Sequence, residues 1–409
     1  MRMRSRKLAL LLALLLTVNA AAACGSQGST EGQGLSQEST EDQGLSQENT
    51  EGQQKPEGTE PASEEENSGS ENGTESSGAG SENGTESGGA GSEDSSGDSG
   101  EELATVYPVT VTDQLGRQVV IEEEPQTIVS GYYISSSLLI ALGQQDKLVG
   151  IEAKADSRPI YSLAVPELLE LPSVGTAKEF DLEGCAALNP DLVILPAKLK
   201  ETIPALEELG LTVLAVKPED RRLLTELAQL LGTATNTGVR AKALLDRSDG
   251  LLKELAAAVG QEEQPSVYLA GNSSFLSTAG AQMYQNSMIT QAGGRNVAGE
   301  LTDPYWAEIS YEQLLAWNPD YIILAAEADY TVESVLADEQ LAECTAVKEG
   351  HVYQIPGSVE AWDSPVPGSV LGSLWLASVL HPESYGPEQY QQAAADFYEE
   401  FYGFVPEAL

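Results

Sequence analysis

The chain carries the stretch Asp181-Leu-Glu-Gly-Cys-Ala-Ala-Leu-Asn-Pro-Asp-Leu-Val-Ile-Leu195 and repeats its pattern as Ser310-Tyr-Glu-Gln-Leu-Leu-Ala-Trp-Asn-Pro-Asp-Tyr-Ile-Ile-Leu324. In each copy a short amphipathic segment runs into Asn-Pro-Asp, which ends a helix because proline lacks an amide donor and disfavours helical geometry just before it. The apolar run that follows has the length of a buried strand in a parallel sheet. The duplication predicts two similar α/β lobes that meet across a ligand-binding cleft.

The start of the chain has the features of an export signal. A basic segment, Met1-Arg-Met-Arg-Ser-Arg-Lys7, precedes an apolar run from Leu8 to Leu16 and the small residues Ala21-Ala-Ala-Cys24. Because the apolar run is too short to span a bilayer, we expect residues 1–23 to be a signal peptide. The cut site resembles a bacterial lipobox with alanine in place of the usual leucine, which implies that Cys24 is lipidated and anchors the protein to a membrane. The alternative is ordinary secretion with a free Cys24.

Residues 24–104 consist mainly of Gly, Ser, Glu, Gln and Asn, with almost no aromatic or branched side chains. Such a segment cannot bury enough apolar surface to offset the entropy of ordering it. We therefore expect a disordered acidic tether that holds the following domain away from the membrane. The tether carries a good part of the formal net charge of -43. This acidity argues against nucleic acid as a partner and says little about the ligand.

The rest of the chain alternates strand and helix signals, which is typical of parallel α/β structure. We predict two Rossmann-like α/β lobes over residues 105–232 and 261–409, joined by one long helix within residues 233–260. A single helical connector permits only a small rotation of one lobe against the other. Since Cys185 and Cys344 lie in different lobes at non-equivalent positions, we expect two buried thiols and no disulfide.

Several motifs resemble one protein family in their order along the chain. They are Asp113-Gln-Leu-Gly-Arg117, Pro125-Gln-Thr-Ile-Val-Ser130, the two Asn-Pro-Asp units and the long connector. Together they are similar to the substrate-binding lipoproteins of ABC importers for iron siderophores, haem and cobalamin, which are class III periplasmic binding proteins. The resemblance covers Val109 to Leu409 and implies a monomer on the outer face of a bacterial cytoplasmic membrane. It also implies that the protein delivers a small-molecule metal chelate, foremost a ferric siderophore, to a permease dimer with its ATPase.

Glu183 and Glu312 occupy the same place in the two copies of the repeat. In the resembled family a surface glutamate at this place on each lobe docks on arginines of the permease. One acidic contact for each lobe suits a symmetric permease dimer, because charge pairs of this kind steer association and also hold the complex. The alternative is that each glutamate is simply favoured by the dipole in the first turn of a helix.

The cleft candidates of the first lobe are the charged and aromatic residues just after predicted strands. Cationic side chains beside aromatic rings suit an anionic ligand, such as a ferric siderophore or a propionate-bearing tetrapyrrole. The alternative for each lysine is a solvated loop position. These candidates are Tyr132, Tyr133, Lys154, Arg158, Lys178, Phe180 and Lys198.

The second lobe supplies further candidates. By the resemblance, Trp306 falls where family members place an aromatic ring against the ligand, whereas Trp362 has packing as its alternative role. Where cobalamin binders of the family have a tryptophan before the first glutamate unit, this chain has Ala177-Lys178, which weakens the case for cobalamin. The candidates in this lobe are Asn272, Ser273, Tyr284, Trp306, Trp362 and Asp363.

The sequence gives no sign of a metal site, a cofactor or a catalytic centre. Its two histidines, His351 and His381, do not have the spacing of ligands for a bare transition metal. No Ser-His-Asp, Cys-His or phosphate-loop pattern stands out, and we expect the repeated Asp191 and Asp320 to shape the turn before a strand. The alternatives to siderophore binding are a corrinoid or haem carrier and, from other classes, a secreted cell-wall enzyme or a tethered scaffold.

Overall fold

The computed structural model describes residues 104–260, 262–303 and 305–407. The predicted signal peptide, Cys24 and the tether up to residue 103 lie outside this part of the chain. Within the described residues, no helix combines the length and the apolar character needed to cross a membrane.

The first half of the described chain forms a hairpin and a four-stranded sheet. The two strands of the hairpin are antiparallel, and the sheet is parallel throughout with the order β4-β3-β5-β6. The strands are β1 Val109–Thr112, β2 Gln118–Ile121, β3 Ile128–Ser130, β4 Leu148–Ile151, β5 Leu192–Pro196 and β6 Val213–Val216. The helices are α1 Tyr133–Ala141, α2 Pro159–Ala164, α3 Leu182–Ala187, α4 Ile203–Glu208 and α5 Arg221–Ala234.

The second half begins with a long helix and builds a second sheet. Its helices are α6 Gly238–Val259, α7 Tyr284–Gln291, α8 Tyr311–Trp317, α9 Val332–Leu336, α10 Thr345–Glu349, α11 Val370–Leu380 and α12 Pro387–Tyr402. Its strands are β7 Ser266–Ala270, β8 Ser277–Thr278, β9 Arg295–Asn296, β10 Ala307–Glu308, β11 Tyr321–Leu324 and β12 Val352–Gln354.

The two sheets share one topology, which confirms the predicted fold class of paired α/β lobes. In the second sheet β9, β7, β11 and β12 run parallel in that order, as β4, β3, β5 and β6 do in the first. The short strands β8 and β10 are antiparallel additions beside β7. The repeated stretch therefore forms the same part of each lobe: a short helix followed by the strand next to the first strand of the sheet.

The Asn-Pro-Asp unit has the same structure in both lobes. Asn189 and Asn318 adopt left-handed backbone conformations, with φ of 48° and 44°, which turn the chain out of the helix. In the first lobe Asp191 Oδ2 accepts hydrogen bonds from the backbone amides of Gln126 and Thr127, at 2.8 and 2.9 Å. In the second lobe Asp320 Oδ2 accepts from the Ser266 amide and hydroxyl, at 2.8 and 2.6 Å. Each aspartate thus lies in the turn before a strand, as predicted, and also ties that strand to the start of the neighbouring one.

Replacement of Asp191 or Asp320 by alanine is expected to lower the free energy of unfolding by about 1–2 kcal/mol, because two donors lose a charged acceptor at a partly solvated position. The midpoint of urea denaturation measures this loss. Glu167→Ala, which removes an exposed carboxylate elsewhere in the first lobe, is the matched control and should leave the midpoint unchanged. Equal midpoints for all three variants would contradict the proposed tie between strands.

Helix α6 connects the two halves and packs on helices of both. It contacts α5 of the first lobe and α7, α11 and α12 of the second, and its buried side chains include Leu244, Leu251 and Leu255. Gly250 faces open space, so nothing packed around this position requires glycine. The single long helix predicted within residues 233–260 is therefore present as Gly238–Val259.

The inner faces of the two sheets belong to one continuous apolar cluster. Ile128 and Ile194 of the first sheet and Leu269 and Ile323 of the second join the buried faces of α1, α6, α11 and α12 in this cluster. The outer face of each sheet packs against its own smaller cluster. The lobes are therefore joined by apolar packing on the side of α6.

The two cysteines of the described chain are free and buried, as predicted. Cys185 lies in the outer cluster of the first lobe and Cys344 in that of the second. Burial raises the pKa of the Cys185 thiol to about 11, and the nearby Asp181 charge adds to this rise. A thiol of this kind is almost fully protonated at neutral pH and is a poor nucleophile.

Candidate functional site

The boundary between the lobes begins where β3 ends and α1 starts. Tyr132 precedes α1 and Tyr133 is its first residue, and their rings meet edge to face with centroids 5.2 Å apart. The guanidinium carbon of Arg158, at the start of α2, lies 4.3 Å from the centroid of the Tyr133 ring. Burial raises the pKa of both tyrosines, so their hydroxyls remain protonated donors at neutral pH. Three of the predicted cleft residues are thus brought together.

One ion pair crosses from the first lobe to the second at this place. Arg158 Nη1 donates to Glu327 Oε1 at 3.1 Å, and both side chains are partly solvent-exposed. Glu327 follows β11, and Ser364 of the same lobe lies within hydrogen-bonding reach of Tyr133. The arrangement sets a cation and an aromatic ring of one lobe against polar and acidic groups of the other.

Asp363 lies behind this ion pair in the second lobe. It is buried, with 4% of its surface exposed, and burial raises its pKa to about 6, with a further contribution from the Glu327 charge. Asp363 Oδ1 and Asn272 Oδ1 are both buried and have no hydrogen-bond partner among the described residues. Buried acceptors without donors are costly, so these two atoms mark a polar region that can accept hydrogen bonds from a further group.

A second group of charges lies near Tyr132. Burial lowers the pKa of Lys198, the Glu219 charge raises it, and the neighbouring Lys178 lowers it, which shows that these three side chains are close in space. Lys217 Nζ forms an ion pair with Glu219 at 2.9 Å. The first lobe therefore presents three lysines and one glutamate beside the tyrosine pair. Lys154 is exposed in the turn after β4, where its backbone is left-handed with φ of 63°.

Aromatic side chains flank the site in both lobes. Phe180 is half-buried and packs beside Gly131, at the end of β3. In the second lobe the Trp306 ring lies over Gly271, where an added Cβ would be 3.0 Å from a ring carbon, so a larger residue would require the ring to shift. Asn272 is half-buried after β7, and Ser273 next to it is exposed.

Two predicted cleft residues have a different role in the structure. Tyr284 is 3% exposed and its hydroxyl donates to the Ser369 carbonyl at 2.8 Å. Trp362 is 1% exposed and its Nε1 donates to the Tyr398 hydroxyl at 2.8 Å. Both side chains are core residues with satisfied polar atoms, so the expectation that they face the cleft is corrected. For Trp362 the packing alternative is the one that the structure supports.

Sequence reasoning missed three charged residues of the site. Lys217 and Glu219 follow β6, and Glu327 follows β11. All three obey the rule that functional side chains gather at the carboxyl ends of parallel strands. The sequence therefore carried the signal for all three, although Asp363 was the one acidic residue included among the cleft candidates.

A buried carboxylate also joins the lobes near this site. Glu360 Oε1 accepts a hydrogen bond of 2.5 Å from Ser137 Oγ of α1, and Oε2 accepts one of 3.2 Å from the Tyr398 hydroxyl. The Gly368 amide donates a further bond, and an added Cβ at Gly368 would lie 2.5 Å from Oε2, so glycine is required here. Burial raises the pKa of Glu360 to about 7, although these hydrogen bonds oppose the rise.

The raised pKa of Glu360 predicts a pH-dependent stability. Between its usual value of 4.5 and about 7 the folded state holds a proton that the unfolded state releases. The bound proton therefore stabilises the folded state in full below the pKa that Glu360 has in the unfolded state. This contribution to the unfolding free energy, up to about 3 kcal/mol, is lost as the pH rises through the pKa of the folded state. In Glu360→Gln the amide can donate to Ser137, whose hydroxyl can turn to Tyr402, 3.0 Å away.

We expect Glu360→Gln to flatten the fall in unfolding free energy between pH 5 and pH 8, measured by urea denaturation at several pH values. Glu349→Gln, at an exposed position, is the control and should follow the wild-type curve. If Glu360→Gln also follows that curve, Glu360 does not titrate in this range.

The paired glutamates of the repeat are both exposed on the surface. Glu183 lies in the first turn of α3 and Glu312 in the first turn of α8. Each helix is capped by the residue two positions earlier, since Asp181 accepts from the Gly184 amide and Ser310 from the Gln313 amide. Hydrogen bonds to Ser310 and to its own backbone lower the pKa of Glu312, so this glutamate also contributes to the start of its helix. Both carboxylates remain exposed on the surface.

Known proteins share this architecture. A family model described as periplasmic binding protein matches residues 128–359, more than half of the chain. The molybdate-binding protein MolA of Haemophilus influenzae is 25% identical over 319 residues, which cover 71% of this chain and 90% of MolA. The ABC transporter substrate-binding lipoprotein YvrC of Bacillus subtilis is 25% identical over 291 residues, covering 68% and 88% of the two chains. A cobalamin-binding protein of Halobacterium salinarum is 23% identical over 287 residues, covering 68% and 75%.

Solved structures agree with these relatives. MolA bound to molybdate superposes with a TM-score of 0.65 at 23% identity, over 73% of this chain and 99% of that one. A periplasmic solute-binding protein of Veillonella parvula gives a TM-score of 0.64 at 26% identity, over 73% and 94%. The family model and these relatives identify an extracytoplasmic solute-binding protein of an ABC importer. The chain belongs to the class III periplasmic binding protein family, whose members deliver small ligands to a permease.

Proposed function

We propose that this protein captures an anionic, metal-containing ligand in the cleft, foremost a ferric siderophore, and delivers it to an ABC permease. The observation that carries the proposal is the Arg158 guanidinium stacked on Tyr133 at the lobe boundary. Lys178 and Lys198 lie together on the same lobe. A guanidinium binds oxyanions in a bidentate manner, and tyrosine hydroxyls that stay protonated can donate to the same ligand.

A second candidate ligand is molybdate. Its support is the similarity to MolA, which extends over 90% of that protein. A small tetrahedral oxyanion needs only a few donors at short range, and Arg158 with the two adjacent tyrosines can supply them. Cobalamin has support from the relative in Halobacterium salinarum. Ala177-Lys178 in place of the tryptophan of cobalamin binders speaks against it.

The docking and anchoring parts of the proposal rest on the repeat and on the start of the chain. Glu183 and Glu312 are proposed to contact the two subunits of the permease, since both are exposed at equivalent places on the two lobes. Cys24 is proposed to carry the lipid anchor that holds the protein on the outer face of the cytoplasmic membrane, with residues 25–103 as the tether.

Binding of a ligand panel to the full chain tests the proposed function. The panel contains molybdate, sulfate, a ferric tricatecholate, a neutral ferric trihydroxamate, haem and cobalamin, and the signal is quenching of tryptophan fluorescence. Trp306 is the reporter because it is half-exposed at the cleft. Trp306→Phe is the control, and it should lose the signal while calorimetry still detects binding. If no panel member binds below about 10 µM, which corresponds to about 7 kcal/mol, the proposed ligand class is wrong.

A further inference from the structure

We propose that Glu327 is an intramolecular competitor for the anion that Arg158 binds, so that the ligand must displace this carboxylate to enter the site. The inference rests on the proposed function, because it assumes that an anionic ligand occupies the cleft. It adds a specificity-determining residue in the lobe opposite to the arginine.

The geometry of the ion pair supports this role. Arg158 Nη1 and Glu327 Oε1 are 3.1 Å apart, and the two side chains retain 24% and 32% of their exposure. They are therefore accessible from the cleft, unlike the carboxylates of Glu152 and Glu360, which are buried and bonded to hydroxyl groups. A partly exposed ion pair is worth little, so an incoming anion can replace it at low cost.

The groups around Arg158 explain why the competitor confers selectivity. Tyr133 covers one face of the guanidinium, and the charge of Glu152 is felt from the same lobe. Glu327 faces it from the second lobe, with Asp363 close behind. A ligand with a single negative charge merely takes the place of the Glu327 carboxylate at Arg158, so its net gain in binding free energy is small. A ligand with two or more negative oxygens can keep the arginine paired and also reach the Lys178 and Lys198 group.

The displaced carboxylate would face Asp363, which already lies near Glu327 and has an unpaired buried oxygen. Neighbouring like charges repel, so Asp363 disfavours a displaced Glu327 carboxylate on its side, and Glu327 is expected to turn away from it. A neutral ligand can accept hydrogen bonds from Arg158 but brings no charge to replace the carboxylate, so it competes poorly with Glu327. The site should therefore discriminate by charge before it discriminates by shape.

The test uses the full chain with Glu327→Gln, Arg158→Gln and the control Asp329→Asn, which removes a carboxylate two residues further along the same loop. The probes are the molybdate dianion, an anionic ferric tricatecholate and a neutral ferric trihydroxamate, titrated by calorimetry. Glu327→Gln is expected to bind the anions about fivefold more tightly, and Arg158→Gln about tenfold more weakly. Asp329→Asn should bind as the wild type does, and the neutral probe should not respond to any of the variants.

Hydrogen exchange of the ligand-free variants separates failure of this inference from failure of the proposed function. Glu327→Gln should speed amide exchange at the start of α1 and in the loop after β11 several-fold, while Asp329→Asn should not. Unchanged exchange in Glu327→Gln overturns the competitor role whether or not a ligand is found. An anion affinity of Glu327→Gln equal to that of the wild type also overturns the competitor role. Faster exchange with no anion bound by the wild type or by Glu327→Gln refutes the ligand class, and the competitor role with it.

Discussion

Replacing Glu183 and Glu312 together by arginine is expected to abolish uptake of the ligand into cells while its affinity for the purified protein stays unchanged. The glutamates are exposed at the first turns of α3 and α8, at equivalent positions of the two lobes. Reversal of both charges would set like charges against each other at two contacts with the permease, which slows association and weakens the complex. The measurement is uptake of the ligand identified by the panel, in cells that carry only the variant protein.

Two comparisons make this result specific. Each single reversal should reduce uptake in part, because one lobe would keep its contact. The control variant carries Glu333→Arg and Glu388→Arg, which reverse two other carboxylates in the first turns of α9 and α12, and it should transport normally. Full uptake by the Glu183 and Glu312 double variant would refute the docking role, and equal losses in the control would reduce it to an effect of net charge.

Truncation of Trp362 to alanine is expected to lower the free energy of unfolding by about 3–5 kcal/mol. The indole is 1% exposed and its Nε1 donates to the Tyr398 hydroxyl of α12, which in turn donates to Glu360. Removal of the ring leaves a cavity and also frees a buried hydroxyl from its donor. The loss should appear as a lower midpoint in urea denaturation with an unchanged slope.

Two further tryptophan variants divide this effect into its parts. Trp362→Phe keeps most of the ring volume but removes the donor, so its loss should be clearly smaller than that of the alanine variant. Trp306→Ala, at the half-exposed cleft position, should cost less stability but remove the fluorescence response to ligand. If Trp306→Ala destabilises the protein more than Trp362→Ala does, the assignment of core and cleft roles is wrong.

The fold was predictable because its signals are local. Asn-Pro-Asp ends a helix through the chemistry of three adjacent residues, and the apolar runs after it can only be buried strands. The contacts between the lobes, by contrast, join residues that are far apart in the sequence. Arg158 and Glu327 are 169 positions apart, and Ser137 and Glu360 are 223 apart, so their pairing depends on how two complete lobes pack.

The burial of aromatic residues also could not be predicted from the sequence. Trp362 stands in the loop segment Glu360-Ala-Trp-Asp-Ser364 and resembles a ligand-binding residue, yet it is covered by α12 from the far end of the chain. Nothing within its own segment of sequence indicates that cover. The rule that site residues follow strands selected Tyr132, Tyr133 and Arg158, which the structure brings together. Applied to every charged residue after a strand, it would also have selected Lys217, Glu219 and Glu327.

The apolar cluster that runs through α1, α6, α11 and α12 makes the two halves thermodynamically inseparable. Cutting the chain at Thr237, between α5 and α6, would expose the inner face of each sheet to water, and neither fragment should fold alone. Scanning calorimetry of the whole protein should accordingly show one cooperative transition rather than two. The duplication visible in the sequence has thus not left two independent folding units.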